Sequence, residues 1–207
     1  MTTEPSAYHQ RVAEEKRGAI VRAATRLFLE NGYDRTSLAR IAEAAGVSKA
    51  TLFKQFPTKA ALFDAIVTAS WDSGREGEQP PAGDPEAGLT AIGLRYTELL
   101  GRPGMADLFR IVIAELPRFP ELGEAQFQRG KLPYFDAVRR YLEAEHAAGT
   151  IDCREPELAA TQFLGMVSNY VFWPRMLLPR WSTDAAADEH VVHEAVATML
   201  ARYATEG

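Results

Sequence analysis

Cysteine is nearly absent: Cys153 stands alone in 207 residues. One thiol forms no intramolecular disulfide and cannot supply the thiolate pairs of cysteine-rich zinc sites, so disulfide scaffolds and zinc fingers are excluded. Long apolar runs are missing too. No stretch approaches the roughly 18 apolar residues of a membrane span. The start, MTTEPSAYHQRVAEEKRGAI, is polar where a signal peptide carries its apolar core, so a cytoplasmic protein without a membrane partner is expected. Period-two alternation, internal repeats and low-complexity tracts are lacking as well. No Gly-rich phosphate loop, Ser-His-Asp grouping or paired-carboxylate motif stands out, so the chain offers no catalytic site and implies no cofactor. What remains is a folded globular composition, 46% hydrophobic and 25% charged.

The formal net charge of -5 is unevenly divided. Residues 1–60 carry ten Lys or Arg against six Asp or Glu, or +4; residues 61–207 carry thirteen against twenty-two, or -9. A cationic first third suits a phosphate-bearing partner, while the acidic remainder limits non-specific adhesion to DNA.

Apolar residues recur at helical spacing almost throughout, which predicts an all-α protein of about nine helices. The first spans about Val12 to Asn31, with Ile20, Ala24, Leu27 and Phe28 on one stripe and Gly32 as its C-terminal cap. Thr36 and Ser37 are candidate caps for a second helix bearing Leu38, Ile41, Ala42 and Ala45, which ends at Gly46. Ser48 caps a third, with Leu52 and Phe56 inward, and Thr58 a fourth, with Leu62, Phe63, Ile66 and Val67 inward. The segment SGREGEQPPAGDP, residues 73–85, reads as a loop. Further helices are expected over about residues 85–100 and 105–116. A long helical region then runs to Ala148, broken near Pro133. The last two span about Pro156 to Trp173, ended or kinked by Pro174, and about Ala185 to Tyr203.

The run TSLARIAEAAGVSKATLFKQF places two short helices about a turn containing Gly46, the helix-turn-helix arrangement. Ile41, Ala42, Val47 and Leu52 fill its inside, which leaves Lys49, Ala50, Thr51, Lys54 and Gln55 on the outer face of the third helix. Lysine can donate to guanine O6 and N7, glutamine can pair with adenine, and an alanine methyl can pack on thymine. The N-termini at Thr36 and Thr58, the latter beside Lys59, suit phosphate.

These residues resemble the N-terminal domain of tetracycline-repressor (TetR) family transcriptional regulators. The resemblance runs from Ile20 to Ile66, with AATRLFLENGYDRTSLARIAEAAGVSKATLFKQFPTKAALF at its centre. It implies a helix-turn-helix domain over residues 1–58, of which 1–10 form a disordered arm, and a connecting helix over residues 59–73. A larger helical dimerisation and ligand-binding domain follows over residues 74–207. It further implies a homodimer that binds a palindromic double-stranded DNA operator and is released by a small molecule. Carried over, Thr36, Thr51, Lys54 and Lys59 hold phosphates, Arg40, Lys49, Ala50 and Gln55 face bases or their margins, and Ser37 and Ser48 flank them at the caps. The family usually has Tyr where this chain has Phe53, so a hydroxyl contact to phosphate is missing and that side chain offers only packing.

Tyr96, Phe109, Phe127, Tyr134, Phe163, Met166, Asn169 and Tyr170 are the expected effector-pocket residues. Taken singly, each of them is better explained as plain core; only as a set do they point to a pocket. The helix from Pro156 to Trp173 is apolar nearly all round, which requires burial on several sides. Phe163, Val167, Val171, Val192, Val196, Met199 and Tyr203 are therefore expected at a four-helix dimer interface. His190 and His193 have metal-compatible spacing without a third strong ligand, so a solvated helix edge is expected there and no metal. Cys153 reads as an unremarkable small residue. A stand-alone helical binding protein or enzyme with a vestigial helix-turn-helix stays open as the alternative.

Overall fold

The computed structural model describes residues 7–72, 79–178 and 180–205. Among them are eleven α-helices, one π-helical turn and no strand. The helices are α1 (Ala7–Asn31), α2 (Leu38–Ala44), α3 (Lys49–Gln55), α4 (Lys59–Trp71), α5 (Pro85–Gly101), α6 (Met105–Glu115), α7 (Glu121–Ala125), α8 (Leu132–Ala147), α9 (Pro156–Val171), α10 (Trp173–Leu177) and α11 (Ala185–Tyr203). The π-turn, Gln126–Lys131, joins α7 to α8. It breaks the long region just ahead of Pro133, which stands in the first turn of α8, where its missing N–H costs nothing. Pro174 acts in the same way: α9 stops at Val171, and the proline opens the short α10. Of the arm expected over residues 1–10, residues 1–6 lie outside the described residues and 7–10 belong to α1. Of the loop expected over 73–85, residues 73–78 also lie outside them.

The chain forms two compact units. One comprises the chain up to Ser70 together with Arg110–Arg129; the other comprises Trp71–Phe109 and the chain from Gly130 onward. In the first unit, Ile20, Leu27, Phe28, Ile41, Leu52, Phe56, Leu62 and Phe63 are all buried, each such side chain contributing about 1.5–3 kcal/mol. Tyr33 sits 5.1 Å from Phe28 and meets Phe63 and Phe119 edge-on at 5.7 and 5.1 Å. Gly32 (φ 83°) ends α1 and Gly46 (φ 66°) turns α2 into α3, both in the left-handed region that glycine enters at no steric cost.

In the second unit α5, α8, α9 and α11 pack together, with α10 against α9. Asp84 and Asp184 cap α5 and α11 by accepting from the backbone N–H of Ala87 (3.0 Å) and Ala187 (2.8 Å). Gly93 lets α5 approach closely, because a Cβ there would lie 2.6 Å from a Val192 methyl. Glu145 is fully buried yet satisfied. It accepts from the Tyr141 hydroxyl, the Thr150 hydroxyl and, at 2.9 Å, the Gly83 N–H. Burial pushes its carboxyl up, but these donors outweigh that and hold it below the usual carboxylate range. Cys153 is buried with its thiol pushed up by desolvation, the state of an inert structural cysteine.

Candidate nucleic-acid interface

Helices α2 and α3 are short, and each begins on a serine. Ser37 Oγ accepts from the Arg40 N–H (3.3 Å) and Ser48 Oγ from the Thr51 N–H (3.1 Å). Ser48 Oγ also lies 2.9 Å from the Thr51 hydroxyl. Both serines are thus engaged as caps, and they remain exposed at the surface. Leu52 and Phe56 are buried on the inner side of α3, which turns Lys49, Ala50, Phe53 and Lys54 outward together. Phe53 is 49% exposed, an unusual placement for a phenyl ring. Beside this face lies a hollow of about 460 Å³ lined by Ser37, Arg40, Glu43, Val47 and Lys49. Arg40 is exposed on α2, within 3.4 Å of the Asn31 carboxamide oxygen.

Three expected contacts need correction. Thr36 is fully buried, and its hydroxyl donates to the carbonyls of Leu27 (3.2 Å) and Gly32 (2.8 Å). A side chain without exposed surface cannot touch a phosphate; it satisfies the C-terminal carbonyls of α1 instead. Only Ser37 caps α2. Lys59 is also committed elsewhere. Its ammonium donates to the carbonyls of Tyr33 (2.7 Å), Thr36 (3.0 Å) and Asp34 (3.1 Å), and sits 4.5 Å over the Tyr33 ring. An ammonium has three N–H groups, and all three are used. Burial lowers the Lys59 pKa, against the opposing pull of Asp34 and Glu115. Burial, aided by Glu121, Asp64 and Glu115, pushes the Tyr33 phenol up to about 12. Gln55 lies on the far side of α3 from the exposed face, and its Nε2 donates to the Ala13 carbonyl of α1 at 3.3 Å. It ties the reading helix to α1 rather than facing bases.

Arg17 lies 4.4 Å above the Phe56 ring, a second link between α1 and the end of α3 that periodicity did not announce.

The expected effector residues divide. Tyr96, Phe109, Tyr134, Phe163 and Met166 belong to the second unit, but Phe127 lies in the first and is 49% exposed. Tyr96 and Tyr134 stack at 5.1 Å, and the Tyr134 hydroxyl donates to the Ile92 carbonyl at 3.0 Å. Burial pushes the Tyr96 phenol up to about 12 and the Tyr134 phenol higher still. Asn169 and Tyr170 are exposed on α9, not turned inward.

The expected dimer residues need a matching correction. Phe163, Val167, Val171, Val192, Val196, Met199 and Tyr203 are all buried within the second unit of a single chain, so their surface is already spent. The exposed stripe of α9 is instead Leu158, Gln162, Gly165 and Asn169, continued by Trp173 at the start of α10, and that of α11 is Ala186, His190, His193, Ala197 and Ala201. Among the described residues no group of three potential metal ligands forms, and His193 has only Glu189 at 3.8 Å. Among the described residues no helix is long and apolar enough to cross a membrane.

Comparison with known proteins agrees along most of the chain. Residues 20–66 match the model for bacterial regulatory proteins of the tetR family, and residues 87–205 match the C-terminal domain of AefR-like transcriptional repressors. A crystal structure of a TetR-family protein from Mesorhizobium loti is 28% identical with a TM-score of 0.81, covering 93% of this chain and 98% of that one. The flavonoid-responsive regulator FrrA is 30% identical with a TM-score of 0.76, over 93% of this chain and 98% of its own. An HTH-type transcriptional regulator of Mycobacterium tuberculosis is 30% identical over 123 residues, 59% of this chain. The matched part spans 56% of that relative, little more than half its length. With a family model matched over more than half of its residues, and with the fold and helix-turn-helix described above, this chain belongs to the TetR family of transcriptional regulators.

Proposed function

We propose that this protein is a ligand-responsive repressor that binds a palindromic operator as a homodimer in the cytoplasm. The observation that carries the reading is the exposed face of α3. There Lys49, Ala50, Phe53 and Lys54 stand out together from a helix whose opposite side is held by Leu52, Phe56 and the Gln55 bond to α1. Such a face enters a major groove, with Lys49 and Ala50 at base edges and Lys54 and Thr51 toward phosphate. Arg40, on the adjoining helix, reaches the margin.

Dimerisation supplies the second reading head. The exposed stripes of α9 and α11 repeat at intervals of three and four residues, and both carry small residues, Gly165 on one and Ala186, Ala197 and Ala201 on the other. Large apolar groups, Leu158 at 48% and Trp173 at 50% exposure, flank the α9 stripe. A two-fold partner laid on these stripes would bury them in a four-helix contact.

The effector in this reading is a small apolar or amphipathic molecule held in the second unit among Tyr96, Tyr134, Phe163 and Met166. The flavonoid responsiveness of FrrA supports a ligand of that size and character. Release follows if the effector binds more tightly to the state whose heads no longer match adjacent grooves; a coupling of about 1–3 kcal/mol gives a 5- to 150-fold change in affinity. A mobility shift with the DNA upstream of the protein's own gene tests this. A specific complex that survives competitor DNA at moderate salt is expected, and its absence overturns the proposal.

A further inference from the structure

We propose that Phe53 determines operator specificity by packing its ring on the C5-methyl group of a pyrimidine, thymine or 5-methylcytosine, in the major groove. The inference rests on the reading that α3 enters that groove, and it names the chemical group the helix selects there.

The free protein leaves the Phe53 ring uncovered. Among the described residues up to Ser70, Leu29 and Phe53 are the large hydrophobics that stay exposed, at 37% and 49%. Phe56, at the C-terminal end of the same short helix, is 1% exposed and lies under the Arg17 guanidinium at 4.4 Å. Phe53 has no such cover: among the described residues no ring and no cation stacks on it. Ala50 precedes it by three residues and Lys49 by four, spacings that place all three on one face of a helix. Lys49 and the adjoining Lys54 are exposed, and among the described residues neither is paired with a carboxylate.

Such a face fits a partner that is anionic along its flanks and apolar at a point within reach of the ring. Two unpaired ammonium groups disfavour an apolar protein surface and suit the phosphates of a duplex. A phenyl carries no donor and no conventional acceptor, so it neither holds a phosphate nor reads the nitrogen and oxygen atoms of base edges. The one apolar group those edges present in the major groove is the C5-methyl of thymine. 5-Methylcytosine carries the same methyl at the same ring position, whereas uracil and cytosine have a hydrogen there. Contact with that methyl also removes from water the ring that the free protein leaves exposed.

The test uses duplexes selected by the full chain from random sequence. Affinity is followed by fluorescence anisotropy as each thymine in turn is replaced by uracil, which differs by the methyl alone. At one thymine in each half-site the exchange should weaken binding roughly three- to fivefold, the value of burying one methyl group. Phe53→Ala should weaken the thymine duplex by at least that factor and abolish the difference between thymine and uracil at that position. There, too, 5-methylcytosine should bind more tightly than cytosine. Uracil without effect at every thymine, or penalties that all survive Phe53→Ala, overturns the inference. So does a Phe53→Ala protein that loses affinity equally for the thymine and uracil duplexes, the behaviour of a ring packed on the sugar–phosphate backbone. Should Phe53→Ala fail to fold, 5-iodouracil at the sensitive position decides, because its iodine takes the place of the methyl. Irradiation should crosslink it to Phe53 of the unsubstituted protein, and a crosslink to another residue overturns the assignment. If no selected duplex outcompetes random DNA, the regulator reading itself fails; if one does and no methyl position depends on Phe53, this inference alone fails.

Discussion

The ammonium of Lys59 lies 2.7 Å from the carbonyl oxygen of Tyr33, and the same group also holds the carbonyls of Asp34 and Thr36. The first turn of α4 is thereby fastened to the loop that leads from α1 into α2. Glu115 reinforces the loop by accepting from the Asp34 N–H at 3.3 Å, and Arg118 pairs with the Asp34 carboxylate at 2.9 Å.

Lys59→Met should therefore act through stability. Removing a charged donor from three carbonyls should lower unfolding free energy by about 2–4 kcal/mol, each hydrogen bond to a charged group contributing about 1.5–3 kcal/mol before relaxation and water entry. Denaturant melts measure this. Where the variant is folded, the salt slope of operator binding should equal that of the parent. A slope reduced by about one would mean that Lys59 touches a phosphate after all.

The exposed lysines of α3 should separate by role. Lys49→Ala should change which operator bases are preferred, at a cost of about 1–3 kcal/mol for the favoured base. Lys54→Ala should weaken all sequences alike and flatten the salt slope by about one. Selection of bound sequences and a salt titration distinguish the two, and identical behaviour of both variants would remove the base-reading role of Lys49.

The proposed dimer face makes opposite demands on two kinds of position. Gly165→Glu places a charge on the exposed stripe of α9, where nothing lies within 4 Å of an added Cβ. It should yield folded monomers in sedimentation. Val196→Asp, by contrast, buries a charge inside one chain and should unfold the protein. A Gly165→Glu protein that remains dimeric would place the interface elsewhere.

Glu145 sets an acid limit. Its folded pKa lies below the unfolded value of about 4.5, so its contribution is fully present above that pH and is lost as pH falls through the folded pKa. Stability measured by urea melts should decline below about pH 4.5 in part through this group. Glu145→Gln should weaken that dependence and cost about 1–3 kcal/mol at neutral pH, because an amide turns donors toward the Tyr141 or Thr150 hydroxyl. An unchanged acid profile would assign the decline to other carboxylates.

Much of the architecture was legible in the amino-acid sequence. Helical periodicity marked the long helices, Ser37, Ser48 and Thr58 marked three of their starts, and Gly32 and Gly46 marked two turns, because capping and left-handed backbone depend on the residue itself. The cationic first third and the outward lysines of α3 followed from composition and spacing alone. The π-turn at Gln126–Lys131 carried no such signal, since its extra residue per turn comes from packing rather than from a residue type.

What tertiary structure decided was the fate of individual polar groups and of helices apolar on every side. Thr36, Gln55 and Lys59 all looked free to meet DNA, yet each found backbone carbonyls on a neighbouring element. Which carbonyls are left open depends on where another helix happens to end. The same holds for α9. Its residues are apolar nearly all round, so spacing shows which side chains share a face but not which face the chain keeps for itself. Burial of Phe163, Val167 and Val171, on a helix that packs with α5, α8 and α11, settles that choice and leaves the stripe around Gly165 exposed.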